Sequence, residues 1–454
     1  MRRPSLFLIA LLTIALVGMS LRFWQYDRLP PYNETADEFY YPFAGLSFVT
    51  TGVPTSWTQL PAYASSLSQV YWGIPFGLVT PWLEKPFLYP LLSAGVLLLQ
   101  QIDTLPEIRV SALRLLPISL SFLTIIFVGL VGKFLLRPAG ALVAAAIYAT
   151  VPTIVFGNRL SLVENLLTPI LLASLYLLVS NWRSRGAIGG LALLCGLAVA
   201  TKNTGIAVPL AVLLVLLQER RYLAVVLVAI TTANFGLLQA LMGAYYDWSL
   251  FASVLNAFHK IHSEGLPQLV ATLFRYPIVA ERYRAFLDGT ILWGYLVFFT
   301  LPWRFSYGRR ELSAKAWSIT WGFGLVYLAV VSLLTVGTPT TTVGWYFYPL
   351  YPFLAIAVAH TFQLTWRHPH ALQMLVLWII VGVSTIRFVL VLAPRLQPYW
   401  QMLLLCLAAT LVGSCLLPRR YQQFILATSF IGYLAVNVLV VTYGPLFYPT
   451  ASQP

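Results

Sequence analysis

Long apolar runs separated by short polar breaks dominate the chain. Windows of the roughly 17–25 apolar residues that a helix needs to cross a bilayer lie near 4–24, 111–133, 139–157, 165–181, 186–200 and 203–218. Further windows lie near 222–241, 289–304, 316–335, 346–364, 371–391, 399–417 and 421–443. The pattern predicts an all-α polytopic bundle of about thirteen spans. The segment "PFLYPLLSAGVLLLQQ", 86–101, is apolar but short and bracketed by charge. Two longer stretches, 25–110 and 242–288, interrupt the alternation. The organisation expected is a first module over 1–241 that includes the loop 25–110, a second long loop over 242–288, and C-terminal helices over 289–454.

Composition agrees with this pattern. The 454 residues are 59% hydrophobic and 9% charged, where soluble domains carry about 25% charged residues. The start, "MRRPSLFLIALLTIALVGMS", has the basic tip and apolar stretch of a secretory signal, with "GMS" as a cleavage site. Because many spans follow, it is read as an uncleaved first span. The three cysteines, Cys195, Cys406 and Cys415, fall in apolar runs without metal-ligand spacing and read as small core residues.

Charge orients the bundle. The formal net charge of +14 does not point to nucleic acid, because basic residues of membrane proteins collect in cytoplasmic loops. With the N-terminus inside and 86–101 not crossing, the inner ends receive Arg2 and Arg3, Lys133 and Arg137, Arg183 and Arg185, and Arg220 and Arg221. They also receive the run "RFSYGRRELSAK", Arg367, and Arg419 and Arg420. Counting 86–101 as a crossing would put these clusters on the wrong side, so it is expected as a re-entrant or interfacial helix on the outer surface. The C-terminus and both long loops then lie outside, with every acid except Glu219 and Glu311. The expected location is the plasma membrane of a prokaryote, with the chemistry on the outer face.

The stretch "NETADEFYYPFAG" concentrates Glu34, Asp37 and Glu38 just after the first span, in a chain that otherwise avoids acids. Asp37 suits a general base at the membrane surface, or an interfacial helix acid. Its neighbour Glu38 would point about 100° away on a helix and is expected to meet an Arg or Lys. Glu34 shares the Asp37 face if the helix extends that far. In the second long loop, His259 and His262, with Asp247 and Glu264 nearby, have no set that completes a metal site. No cofactor is assigned, and a divalent cation is left open. No Gly-rich nucleotide loop is present, which favours a lipid-linked donor.

Several motifs carry a family resemblance. "DEFYYPFAGL" places Asp37, Glu38, Tyr41 and Ala44 in a D-E-x-x-Y-x-x-x-A pattern. "EKPFLY" follows at Glu84–Tyr89, and Arg114 and Pro117 stand for an R-L-P with one extra residue. "RLSLVENLL" puts Glu164 where a second-loop acid opens a span, and "LAVATKNTG" puts Lys202 in an L-T-K-G-like turn with Asn203 in place of Gly. "WYFYPLYP" matches R-Y-x-x-P-x-x-P through Tyr346, Pro349 and Pro352, with Trp345 replacing the basic residue. In this order the motifs resemble the GT-C superfamily of polyprenyl-phosphate-sugar glycosyltransferases, close to the protein O-mannosyltransferases and aminoarabinose transferases.

That resemblance implies transfer of a sugar from a polyprenyl-phosphate donor to an acceptor hydroxyl or phosphate, with inversion at the anomeric carbon. Such a reaction needs a general base, typically a carboxylate or His, fixed cations or donors for the leaving phosphate, and a seat for the lipid at the membrane. Asp37, Glu38 and Glu164 are the catalytic candidates. Lys85, Glu84, Tyr41, Arg114, Lys202 and Tyr346 are the substrate-binding candidates, with Lys85 on the donor phosphate. The acceptor, whether protein, lipid or polysaccharide, stays open. A transporter or flippase of lipid-linked sugars, and a cell-wall polymer ligase or polymerase, are the alternatives. Scarce mid-span charge and the absence of an internal repeat weigh against transport.

Overall fold

The computed structural model describes residues 6–31, 37–58, 60–64, 66–71, 73–180, 184–261, 288–305, 311–335 and 344–444. Every apolar window read from the sequence contains helix. In chain order these are α1 (Leu6–Phe23), α2 (Asp37–Thr51), α3 (Leu88–Leu99), α4 (Val110–Leu113), α5 (Leu115–Leu135) and α6 (Pro138–Thr150). They continue with α7 (Pro152–Gly157), α8 (Glu164–Val179), α9 (Arg185–Thr201), α10 (Ala207–Gln218), α11 (Tyr222–Tyr246) and α12 (Trp248–Ile261). Helices Gly289–Phe305, Glu311–Thr335, Tyr351–Arg367, Ala371–Leu392, Trp400–Gly413 and Arg419–Thr442 follow. Among the described residues, six stretches are long and apolar enough by themselves to cross a membrane. Shorter apolar helices, such as α3, α6, α8 and α9, lie among them.

Proline sets several of the breaks. Pro138 opens α6 and Pro152 opens α7, each at a first-turn position where a missing N–H costs nothing. The two helices therefore replace a single long span over 139–157.

The first loop holds more than the helix expected at 86–101. Its middle forms a three-stranded antiparallel sheet, β1 (Ser56–Trp57), β2 (Leu67–Tyr71) and β3 (Ile74–Val79), in the order β1-β3-β2. Tyr71 pairs with Ile74, and Gly73 takes the left-handed φ of +77° that closes such a hairpin. The sheet is fastened to α2 by aromatic rings. Phe76 lies 5.8 Å from Phe39 and 5.5 Å from Phe43, centroid to centroid, and Tyr71 lies 5.7 Å from Phe43.

Helix α2 packs directly on α3. Gly45 makes this approach possible, because a Cβ there would stand 1.9 Å from the Pro90 carbonyl oxygen. Below this cap, α1, α5, α6, α8 and the Tyr351–Arg367 helix form the buried body of the bundle. Arg22, fully buried at the end of α1, donates to Asn158 Oδ1 at 2.8 Å and to the Ala149 and Tyr148 carbonyls at 3.0 and 3.2 Å. Those carbonyls end α6 and lack intrahelical donors, so the arginine both caps α6 and locks α1 against it.

Candidate active site

Helix termini converge at one end of the bundle. Asp37 is the first residue of α2, Glu164 the first of α8, and Lys202 the residue that ends α9. Lys85 lies in the turn before α3, and Tyr346 lies in the 3-10 turn Gly344–Leu350 before the Tyr351–Arg367 helix. Lys202 is turned inward by its extended φ of −160°, and the chain then doubles back through Asn203–Ile206. Gly205 allows that fold-back, since a Cβ there would meet the Ala198 carbonyl oxygen at 1.9 Å.

Asp37 is half-buried and faces this cluster. Burial pushes its carboxyl up to about 6. Lys85 pulls it back down, Glu164 pushes it up, and Lys202 pulls it down, so all three charges sense it. Tyr41, one helical turn further along α2, shares the face and is buried. Its ring meets Tyr89 edge-on at 5.5 Å, and the Tyr89 hydroxyl shares a hydrogen bond of 3.2 Å with Ser161.

Lys85 is half-buried between the acids Glu84, Asp37 and Glu164. Burial lowers the affinity of its amine for a proton, Lys202 lowers it further, and the three acids oppose both. Glu84 is almost fully buried and accepts a hydrogen bond from Thr58 Oγ1 of the sheet loop. Burial pushes its carboxyl upward, and Lys85 restrains the rise.

Glu164 and Lys202 form a buried ion pair. The Lys202 ammonium also lies 3.6 Å from the centroid of the Tyr346 ring, and the Tyr346 carbonyl accepts the Tyr327 hydroxyl at 2.9 Å. Arg159, close to Glu164 in sequence, points elsewhere. It donates to the Leu29 and Leu21 carbonyls at 3.1 and 2.8 Å and stacks on Phe156.

Glu38 lies on the other side of α2. Its carboxylate is held by Arg114 through two hydrogen bonds, 2.8 Å from Nε and 2.6 Å from Nη2, with both side chains buried. Arg114 spends further donors on the Tyr26 and Pro30 carbonyls at 2.6 and 2.8 Å. The pair therefore ties the carbonyls of Tyr26 and Pro30 to α2, and Glu38 also accepts the Ser161 amide at 3.4 Å.

Thr58, Ser161 and Tyr327 carry no charge or motif that would single them out in sequence, yet they anchor Glu84, Tyr89 and Tyr346. Glu34, His262 and Glu264 lie outside the described residues. Asp247 accepts the Leu250 amide at 2.8 Å and caps α12. Among the described residues no group of three His, Cys, Asp or Glu side chains is gathered to hold a metal.

Comparisons with known proteins concern the family and the fold. Residues 85–260 match the family described as dolichyl-phosphate-mannose-protein mannosyltransferase. The structure is similar to ArnT from Cupriavidus metallidurans bound to undecaprenyl phosphate, with a TM-score of 0.55 at 14% identity over 98% of this chain and 77% of that one. It is also similar to the archaeal oligosaccharyltransferase AglB from Archaeoglobus fulgidus in complex with an inhibitory peptide and a dolichol-phosphate. There the TM-score is 0.50 at 14% identity, over 89% of this chain and 56% of that one. No curated protein sequence matches the chain.

Proposed function

We propose that this membrane protein, which has the GT-C glycosyltransferase fold, moves a sugar from a polyprenyl-phosphate donor to an acceptor hydroxyl or phosphate. One observation supports the reading above others. A half-buried carboxylate at a helix start faces two lysines brought by different elements, at one end of an apolar bundle. A base beside phosphate-binding cations is the pairing that displacement at a sugar phosphate needs.

In the proposed reaction the acceptor oxygen attacks the anomeric carbon as its proton passes to the Asp37 carboxylate. The bond from that carbon to the phosphate oxygen breaks, and its electron pair leaves with the lipid phosphate. Lys85 stabilises the charge that builds on that phosphate, with Lys202 behind it. A single displacement of this kind inverts the anomeric centre. Glu164 holds Lys202 in place and leaves the Asp37 carboxylate as the open acid of the cluster. Glu38 is a positioning residue, fixing the start of α2 through Arg114.

The proposed placement of this end of the bundle is the outer membrane face, since the basic clusters Arg137, Arg367 and Arg419 mark the opposite end. The donor phosphate then reaches the cluster at the headgroup level while its isoprenoid chain stays in the bilayer. Both relatives in the comparison were solved with a polyprenyl phosphate, undecaprenyl in one and dolichol in the other. Incubating the purified protein with a panel of polyprenyl-phosphate sugars and following each by mass spectrometry tests the reading. Consumption of at least one donor with release of the free lipid phosphate supports it. Movement of intact donors between leaflets without cleavage would replace it with transport.

A further inference from the structure

A second site lies at the far end of the bundle. A groove of about 560 Å³ opens between α6, the Tyr351–Arg367 helix and the Arg419–Thr442 helix. Its walls are apolar, formed by Ala359, Phe362, Ala427, Phe430 and Ile431. Phe362 and Phe430 meet edge-on at 4.9 Å and make its floor. Three arginines, Arg137, Arg367 and Arg419, line the same groove, beside the partly exposed indole of Trp366.

The three arginines come from three separate chain breaks, so the groove is a product of the fold and not of one basic run. Tyr351–Arg367 begins beside the cluster around Tyr346 and ends in the groove with Arg367. A helix of 17 residues is about 25 Å long, close to the hydrocarbon thickness of a bilayer. The groove therefore sits at the opposite membrane face from the candidate active site. Among the described residues no acid forms an ion pair with Arg137 or Arg419.

An apolar trough that ends in a cluster of guanidinium groups at the headgroup level matches one kind of molecule. Its walls suit a hydrocarbon chain, its arginines suit phosphate oxygens, and Trp366 suits the interface between them. We propose that this groove binds an anionic phospholipid of the leaflet opposite the active site, with its acyl chain against Phe362 and Phe430 and its phosphate among Arg137, Arg367 and Arg419. The site is independent of the sugar-transfer reading. Its assignment to the cytoplasmic leaflet rests on the orientation proposed above, whereas its preference for anionic lipid does not.

The full-length protein, reconstituted in nanodiscs of phosphatidylcholine with 20% phosphatidylglycerol as a chosen mixture on the order of ordinary anionic-lipid content, provides the test. After transfer to detergent, native mass spectrometry counts the phospholipid that stays bound and its class. The wild type should retain phosphatidylglycerol in preference to phosphatidylcholine. The triple variant Arg137→Gln, Arg367→Gln, Arg419→Gln should lose that preference, since each cation near an anionic headgroup is worth about fivefold in affinity. Ala427→Trp should fill the trough and lower retention of both lipids while leaving the arginines in place. Equal retention of the two lipids by the wild type, or unchanged retention of phosphatidylglycerol by the triple and Ala427→Trp variants, would overturn the proposal.

Discussion

Arg114 grips Glu38 through two hydrogen bonds of 2.8 and 2.6 Å where neither side chain meets solvent. Adjacent Asp37 is half-buried and faces the lysines instead. The two acids of one motif thus face different surroundings, because neighbouring residues on a helix point about 100° apart.

Breaking that pair should cost stability before it costs chemistry. Arg114→Ala leaves the Glu38 carboxylate buried without its cation and frees the Tyr26 and Pro30 carbonyls. Loss of one partner of such a pair is worth about 3–5 kcal/mol. Arg114→Lys should recover only part of it, because one ammonium cannot replace the fork. Thermal unfolding of purified protein in detergent reads both, and an Arg114→Ala protein as stable as wild type would contradict the assignment.

Asp37 should set the acid side of the pH profile. A general base is active when ionised, so a carboxyl raised to about 6 moves the loss of activity up from the usual carboxylate range near 4. The rate should be full above about pH 7 and fall tenfold per unit well below 6. Lys85 lowers the Asp37 value, so Lys85→Gln should shift this limb to higher pH in the variant's residual activity. A profile flat down to pH 4.5 would exclude Asp37 as the base.

Lys85 should govern the donor. Lys85→Ala is expected to raise the donor Kd by about tenfold or more, the loss of a charge-assisted contact, with protein abundance unchanged. Lys85→Arg should restore binding in part, since charge persists while geometry changes. Donor binding as tight as wild type in Lys85→Ala would move the phosphate to Lys202.

The Tyr346 ring should matter through its face. Tyr346→Phe keeps the surface beneath the Lys202 ammonium, 3.6 Å from the ring centroid, whereas Tyr346→Leu removes it. A desolvated cation–π contact is worth about 2 kcal/mol, so the leucine variant should lose roughly tenfold or more in kcat/KM and the phenylalanine variant little. Equal loss in both would assign the effect to the hydroxyl.

Much of this was readable from the chain, and the limits have physical causes. Apolar windows locate the helices because a bilayer-spanning segment is a local, length-determined feature. Asp37, Lys85, Glu164 and Lys202 stand out because charge is scarce in such a chain and each falls at or just before a helix end. Their pairing was not legible. Glu164 meets Lys202 rather than nearby Arg159, a choice made by the turn at Gly205 and by the backbone carbonyls that claim Arg159. The sheet of the first loop was hidden for a related reason. Its strands are short, one only two residues long, and their aromatic residues look the same whether they meet a headgroup or the flank of α2. Arg22 looks like an ordinary charge at the end of an apolar run, and only the fold shows that it caps α6.

Asp37→Asn tests the central claim most directly. The amide keeps the size and polarity of the side chain but cannot take the acceptor's proton. Turnover should fall by about 10²–10⁴-fold, the usual worth of general-base assistance. Donor Kd, measured on the same preparation, should stay within about twofold of wild type, because the proposed phosphate ligands are Lys85 and Lys202. An Asp37→Asn protein that turns over near the wild-type rate with donor binding intact would contradict the account.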